Sequence, residues 1–355
     1  MTGVAKRLVY LDYLRVIATI FVIGVHTVSL AAAMTAAGST GFYVLEIFDY
    51  VFLSCNLLFV MISGALLLGV KNENPGRFFI KRFSKVAIPL VVYYVMYVVA
   101  KEGWMWLTPK YWWVLFLRIL MGAPEEAPHF WLVYTILMLY LATPLFRYLV
   151  QNIPEEVFAG VIGVVFVVNA LKTYLPAFGV QSHLDIIVDS YAGVFLLGFF
   201  LSKKHSRRTE NLLIIGGAAS FILSCILICS IDNYKDYIHQ NAPTMMLFTS
   251  AIFLMVKRVN WKESRFIRLI CKYSFSVLLI HWGVLHFVVK QLLHVNVLGG
   301  GIWGGCILMI SLTFVISLLC VIVIDNTVVR LIYAILKLPG KGICLLHKKF
   351  PRKNV

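Results

Sequence analysis

Tyr10-Leu11-Asp12-Tyr13-Leu14-Arg15-Val16-Ile17-Ala18-Thr19-Ile20-Phe21-Val22-Ile23-Gly24-Val25-His26 is an apolar run, long enough with its flanks to cross a membrane, that holds one arginine and one histidine. The two stand eleven positions apart, and eleven steps of about 100° return to within about 20° of the starting azimuth. Arg15 and His26 therefore share one helix face, about 16 Å apart. Each has an ordinary explanation by itself. Arg15 can reach back to headgroups, helped by Asp12 three residues earlier on its face, and His26 can bond a neighbouring helix. Together they point to a polar groove, because ionisable groups in hydrocarbon are costly and usually face a cavity.

The rest of the chain matches this opening. Of its 355 residues, 61% are hydrophobic and the mean hydropathy is +0.87, far from the roughly half-apolar composition of a soluble globular protein. Apolar runs near the spanning length recur at approximately 8–31, 44–70, 84–103, 130–150, 157–174, 187–202, 211–230, 242–257, 273–293 and 302–325. The fold class expected is all-α, a polytopic membrane bundle of about ten transmembrane helices over residues 1–335, with a basic tail at 336–355. The first run lacks a small-residue cleavage site and reads as a retained helix.

A net charge of +16 argues for no nucleic acid here, because the basic residues lie in short clusters between apolar runs. Their distribution sets orientation instead. With the N-terminus inside, 25 Lys and Arg fall on inner segments and six on outer ones, Arg15 lying within the membrane. Both termini are then cytoplasmic, Arg15 lies in the inner half of the first helix, and His26 lies past its midpoint. The seven cysteines sit mostly in apolar segments without metal-type spacing, and no metal is expected.

Other stretches supply candidates for the two ends of such a groove. Arg77-Phe78-Phe79-Ile80-Lys81-Arg82-Phe83-Ser84-Lys85, before Pro89, is the richest basic patch beside an apolar span. It suits anionic headgroups, or a phosphate-rich cytosolic cofactor held by Arg77, Arg82 and Lys85. His281 follows Ser274-Phe275-Ser276-Val277-Leu278-Leu279-Ile280 in the ninth span, about 12 Å from its start at 273, and reads as a second buried histidine at about the depth of Arg15, either a further cofactor-binding candidate or a structural interhelix bond. Asp325, at the end of the tenth span, is a plausible counter-ion for an arginine. On the outer side, His129 and Trp131 open the fourth span after Pro128 and could contribute to an acceptor pocket. Trp104 to Trp113 holds four tryptophans and reads as an interfacial helix, with sugar stacking as the alternative.

These motifs in this order resemble the acyltransferase 3 family of membrane O-acyltransferases. The blocks are Leu11-Asp12-Tyr13-Leu14-Arg15 with His26, Phe59-Val60-Met61-Ile62-Ser63-Gly64, Arg77 to Pro89, Phe130-Trp131-Leu132 with Tyr140-Leu141 and Pro144, and Ser274 to His281. Within the family the chain looks most similar to the surface-polysaccharide O-acetyltransferases, such as those acting on enterobacterial common antigen. The resemblance implies a ten-helix bundle in a bacterial inner membrane. It would take an acetyl group from cytosolic acetyl-CoA and deliver it to a hydroxyl of a surface glycan or lipid-linked sugar. It also implies that His26 is the catalytic histidine and Arg15 its partner. Where the family often ends its last span with Glu and then Pro, this chain reads Asp325-Asn326-Thr327, and it lacks the hydrolase-like domain of some relatives.

The chemistry agrees with the residue types. An alcohol attacking a thioester must lose a proton, which imidazole can accept near neutral pH. A guanidinium can offset charge on the thioester oxygen or on phosphates. The rival class is a glycolipid transporter or flippase, whose halves often repeat; no convincing repeat relates the halves of this chain. A polysaccharide polymerase, a second rival, would be expected to carry a large outer loop, and the longest here, about 104–129, is modest.

Overall fold

A computed structural model describes residues 8–71, 73–122, 125–180 and 190–336. Apart from Leu336, the expected basic tail lies outside these residues. The described chain is all-α, in this order: α1 (Val9–Ala33), α2 (Thr40–Leu67), α3 (Pro75–Glu102), α4 (Pro109–Met121), α5 (Trp131–Asn152), α6 (Glu155–Tyr174), α7 (Ser190–Ser202), α8 (Arg207–Ser230), α9 (Pro243–Arg258), α10 (Arg265–Gly283), α11 (Gly301–Ile324) and α12 (Arg330–Ile335). Among the described residues eight helical stretches are long and apolar enough to cross a membrane. At two further positions where the sequence suggests spans stand shorter helices, α7 with 13 residues and α9 with 16. This is a multi-pass membrane architecture.

Local chemistry sets the helix starts. Ser39, Asn74 and Ser206 accept the backbone N–H of Phe42, Arg77 and Thr209, and Pro75 opens α3 where a missing N–H costs nothing. α1 lies centrally, packed against α2, α9, α10 and α11. α3 packs against α5 and α10, so α1, α3, α5 and α10 surround a common interior. At one end of the bundle Tyr13 stacks on Trp261 with ring centroids 4.0 Å apart, tying the start of α1 to the loop before α10. That end, which also holds Arg15 and the start of α3, is called the basic end below.

Two interior prolines leave gaps in the helix ladders. Pro89 in α3 cannot donate to the Lys85 carbonyl, nor Pro144 in α5 to the Tyr140 carbonyl. α10 continues from Gly283 into a π-helical stretch, Val284–Leu292. There the Tyr97 hydroxyl of α3 donates to the carbonyls of Leu279 (3.0 Å) and Ile280 (3.2 Å) and accepts from the Gly283 N–H (2.9 Å). Such wide turns frequently mark functional segments.

α2 and α7 meet backbone to backbone. A Cβ added at Gly64 would overlap the Phe195 carbonyl oxygen, and one at Gly198 would overlap the Met61 backbone. Small residues at this seam let the helices approach closely enough for dispersion to hold them. Gly64→Val is expected to force the two apart, costing about 1–3 kcal/mol. A lower thermal midpoint in detergent, absent from a control Gly163→Ala in open space, measures this.

Candidate functional site

The interior holds two polar centres joined by one helix. The first is a cavity of about 190 Å³ near the basic end. Arg15 of α1 lines it with Lys85 of α3, Tyr140 of α5 and Lys272 of α10; Phe59, Ile62 and Ser63 of α2 form its apolar side. Arg15, Lys85 and Lys272 come from three different helices. Lys272 is exposed and its ammonium donates to the Tyr273 hydroxyl at 2.8 Å, so the cavity has a cationic wall that reaches the surface. Arg82 lies one turn from Lys85 on α3. The Arg82 Nε is buried without a partner.

The second centre is a cluster of three histidines. The His26 ring lies 5.2 Å from that of His281, tilted by 30°, and the His281 ring lies 5.1 Å from that of His129, nearly perpendicular to it. His281 is 0% exposed and His129 7%, whereas His26 is partly exposed. The His281 Nδ1–H donates to the Leu278 carbonyl at 2.8 Å. The His129 Nε2–H donates to the next carbonyl, Leu279, at 2.9 Å. The nitrogens left over, His281 Nε2 and His129 Nδ1, are buried without a partner. Among the described residues no group of three or more His, Cys, Asp or Glu is arranged to hold a metal ion. The two centres touch through Leu278, which lines the basic cavity and supplies the carbonyl that fixes His281.

The structure sorts the candidates read from the sequence. Arg15 and Lys85 line the cavity and Arg82 lies beside it. Arg77 stands exposed in the first turn of α3, two turns short of Lys85. His26, His129 and His281 come together. The depth expected for His281 needs correction, because α10 begins at Arg265 rather than 273. His281 is then sixteen residues, about 24 Å, along its helix and level with His26 instead of Arg15. Trp131 parts from His129. Two residues further on, about 200° round the helix, it faces Tyr191 at 5.6 Å in a separate cavity of about 520 Å³ with Tyr134 and Met138. Asp325 accepts from the Tyr93 hydroxyl (3.0 Å) and the Ser276 hydroxyl (2.7 Å), which ties α11 to α3 and α10.

Sequence reasoning did not single out Lys272, Tyr97 or the acidic pair Glu46 and Asp49. The pair lines a cavity of about 270 Å³ at the end away from the basic cavity, with Tyr234, Lys235 and Gln240. The Tyr234 hydroxyl donates to Glu46 at 2.5 Å, and Ser29, one turn beyond His26, donates to Asp49 at 2.5 Å. The signal available was the acid content of an otherwise apolar span.

The turn that carries His129 is held from α4. Arg118 bridges Glu102 (3.0 Å) and Glu126 (2.6 Å), and the Tyr94 hydroxyl donates to Glu126 at 2.9 Å. Burial pushes the Glu126 carboxyl up, but hydrogen bonding and the Arg118 charge outweigh it and hold it below the usual carboxylate range. A depressed folded-state pKa contributes stability above the unfolded value of about 4.3 and loses it as pH falls further. Arg118→Met is expected to lower the thermal midpoint at pH 7 by roughly 2–4 °C. Scans from pH 7 to pH 3 should show the gap from the wild type closing.

An all-α bundle with this many long apolar helices among the described residues belongs to the class of multi-pass membrane proteins. The model of the acyltransferase domain matches residues 8–325, and the chain belongs to the acyltransferase 3 family. No curated protein and no solved structure matches it.

Proposed function

We propose that this membrane acyltransferase is an O-acetyltransferase that takes its acetyl group from cytosolic acetyl-CoA. It passes the group to a hydroxyl of a surface glycan or of that glycan's lipid-linked precursor. The observation that carries this reading is the contact, through Leu278, between a cavity with three cations and a histidine cluster. A thioester donor needs the first and an attacking hydroxyl needs the second.

The cationic cavity suits part of the donor. Its volume of about 190 Å³ is below that of a typical whole-ligand pocket, so it takes the phosphate end of the pantetheine arm and not the nucleotide. Arg15, Lys85, Lys272 and Arg82 would hold phosphate oxygens, while exposed Arg77 would meet the adenosine phosphates at the rim. The arm then runs past Leu278 toward His26. His26 takes the hydroxyl proton as oxygen attacks the thioester carbon. The carbon–sulfur bond breaks, and the departing thiolate receives the proton. His129 stands where the acceptor hydroxyl enters. This reading places the basic end in the cytoplasm of a bacterium and the chain in its inner membrane, which the distribution of Lys and Arg supports. The surface-polysaccharide subgroup is the acceptor class that the motif resemblance favours.

The test uses the full chain in lipid nanodiscs with acetyl-CoA labelled in the acetyl group. Release of CoA thiol, accelerated by a lipid-linked oligosaccharide that itself gains label, is the expected result. A protein that moves labelled glycolipid across the bilayer while leaving acetyl-CoA intact would instead be a flippase.

A further inference from the structure

His281 is wholly buried and in contact with His26, and the transfer described above gives it no task. Its tautomer is set: the Nδ1–H bonds the Leu278 carbonyl, so Nε2 carries a lone pair. His129 is set likewise by Leu279, leaving a lone pair on Nδ1. Both leftover nitrogens are buried without a partner. Two acceptors cannot satisfy each other, so the cluster lacks donors. Among its three rings only His26 has no described hydrogen bond to fix its tautomer. A buried acceptor with no donor is costly and calls for an explanation.

Neutral His26 supplies a single weak N–H, and a strong charged donor appears with the proton transfer itself. When His26 takes the hydroxyl proton it becomes an imidazolium with two N–H groups. We propose that His281 is a positioning residue, its Nε2 accepting an N–H of protonated His26 while its own proton stays on Nδ1, donated to the Leu278 carbonyl. At a ring separation of 5.2 Å a small tilt, or one bridging water, joins the nitrogens. The proton shared in that bond stays on His26 throughout, while the one taken from the hydroxyl sits on the other ring nitrogen and leaves with the CoA thiolate, so His281 begins and ends neutral. Tyr97, which grips the Leu279 and Ile280 carbonyls and the Gly283 N–H, holds the stretch of α10 on which this depends. The inference rests on His26 acting as the base.

Three variants in nanodiscs test it, each checked for monodispersity and thermal midpoint. His281→Gln keeps an acceptor near the Nε2 position, and His281→Leu removes it with an apolar group suited to a buried site. The expected result is a kcat reduced roughly 10–100-fold in His281→Leu, the scale of one hydrogen bond to a charged group, with KM for acetyl-CoA unchanged and most of the rate kept in His281→Gln. Equal rates in the two variants, or a faster His281→Leu, would show that the ring only fills space and would overturn the proposal. Should His281→Leu fail to fold, Tyr97→Phe gives the second reading. A lower kcat at constant KM supports the proposal, and an unchanged kcat overturns it. The failure of the underlying reading looks different, since His26→Ala would then transfer at the wild-type rate whatever stands at 281.

Discussion

His26→Ala, inserted and folded as the wild type, is expected to transfer acetyl groups about 10²–10⁴-fold more slowly, the range that a positioned general base contributes. The argument is geometric. His26 is the partly exposed member of the histidine cluster, and the other two rings are pinned by backbone carbonyls. It is thus the ring of the three free to change protonation without breaking a bond to the protein. Its removal should lower kcat and leave donor binding nearly untouched, because the cations that hold the donor stand about 16 Å away along α1. Steady-state rates at varied acetyl-CoA separate the two parameters. Transfer by His26→Ala at the wild-type rate would place the base on another residue.

Arg15→Ala is expected to do the converse. One of three cations lining a small cavity disappears, and with it a forked donor that a lysine cannot replace. KM for acetyl-CoA should rise roughly 10-fold or more, the worth of one charge-assisted hydrogen bond, while kcat at saturation changes less. Arg15→Lys should recover only part of the loss. Because Lys85 and Lys272 remain, the weakened binding should stay salt-dependent, with a shallower slope than the wild type's. A donor KM that stays at the wild-type value in Arg15→Ala would remove Arg15 from the donor site.

The sequence made part of this arrangement readable. Arg15 and His26 are conspicuous because charge is rare in an apolar helix, and period 3.6 alone places them on one face. Lys85 and Arg82 follow from the same logic applied to α3. What escaped detection depended on how helices meet. Lys272 sits among six basic residues between 257 and 272, where nothing in the order of residues tells a cavity wall from a headgroup contact. Tyr97 is one of several tyrosines in α3, and its grip on α10 is a tertiary fact. His281 was placed at the wrong depth because α10 extends eight residues before its apolar run, through Arg265-Phe266-Ile267-Arg268, which hydropathy reads as loop. Trp131 and His129 are neighbours in the chain and strangers in space, since two residues reverse a helix face. Helix number met a similar limit: α7 and α9 are too short for length to decide what they do.

The tight seam between Gly64 and Gly198 also bears on how the protein is made. Chains emerge from the ribosome N-terminus first, so α2 enters the bilayer about 130 residues before the segment that will cover its glycine face. During that interval the bare strip of α2 has only lipid against it, and lipid tails cannot follow a surface shaped to receive another backbone. A chain stopped after residue 180 keeps this strip permanently uncovered. Such a fragment should be cleared by membrane proteases far sooner than the finished protein, even though it retains Arg15, His26, Lys85 and His129.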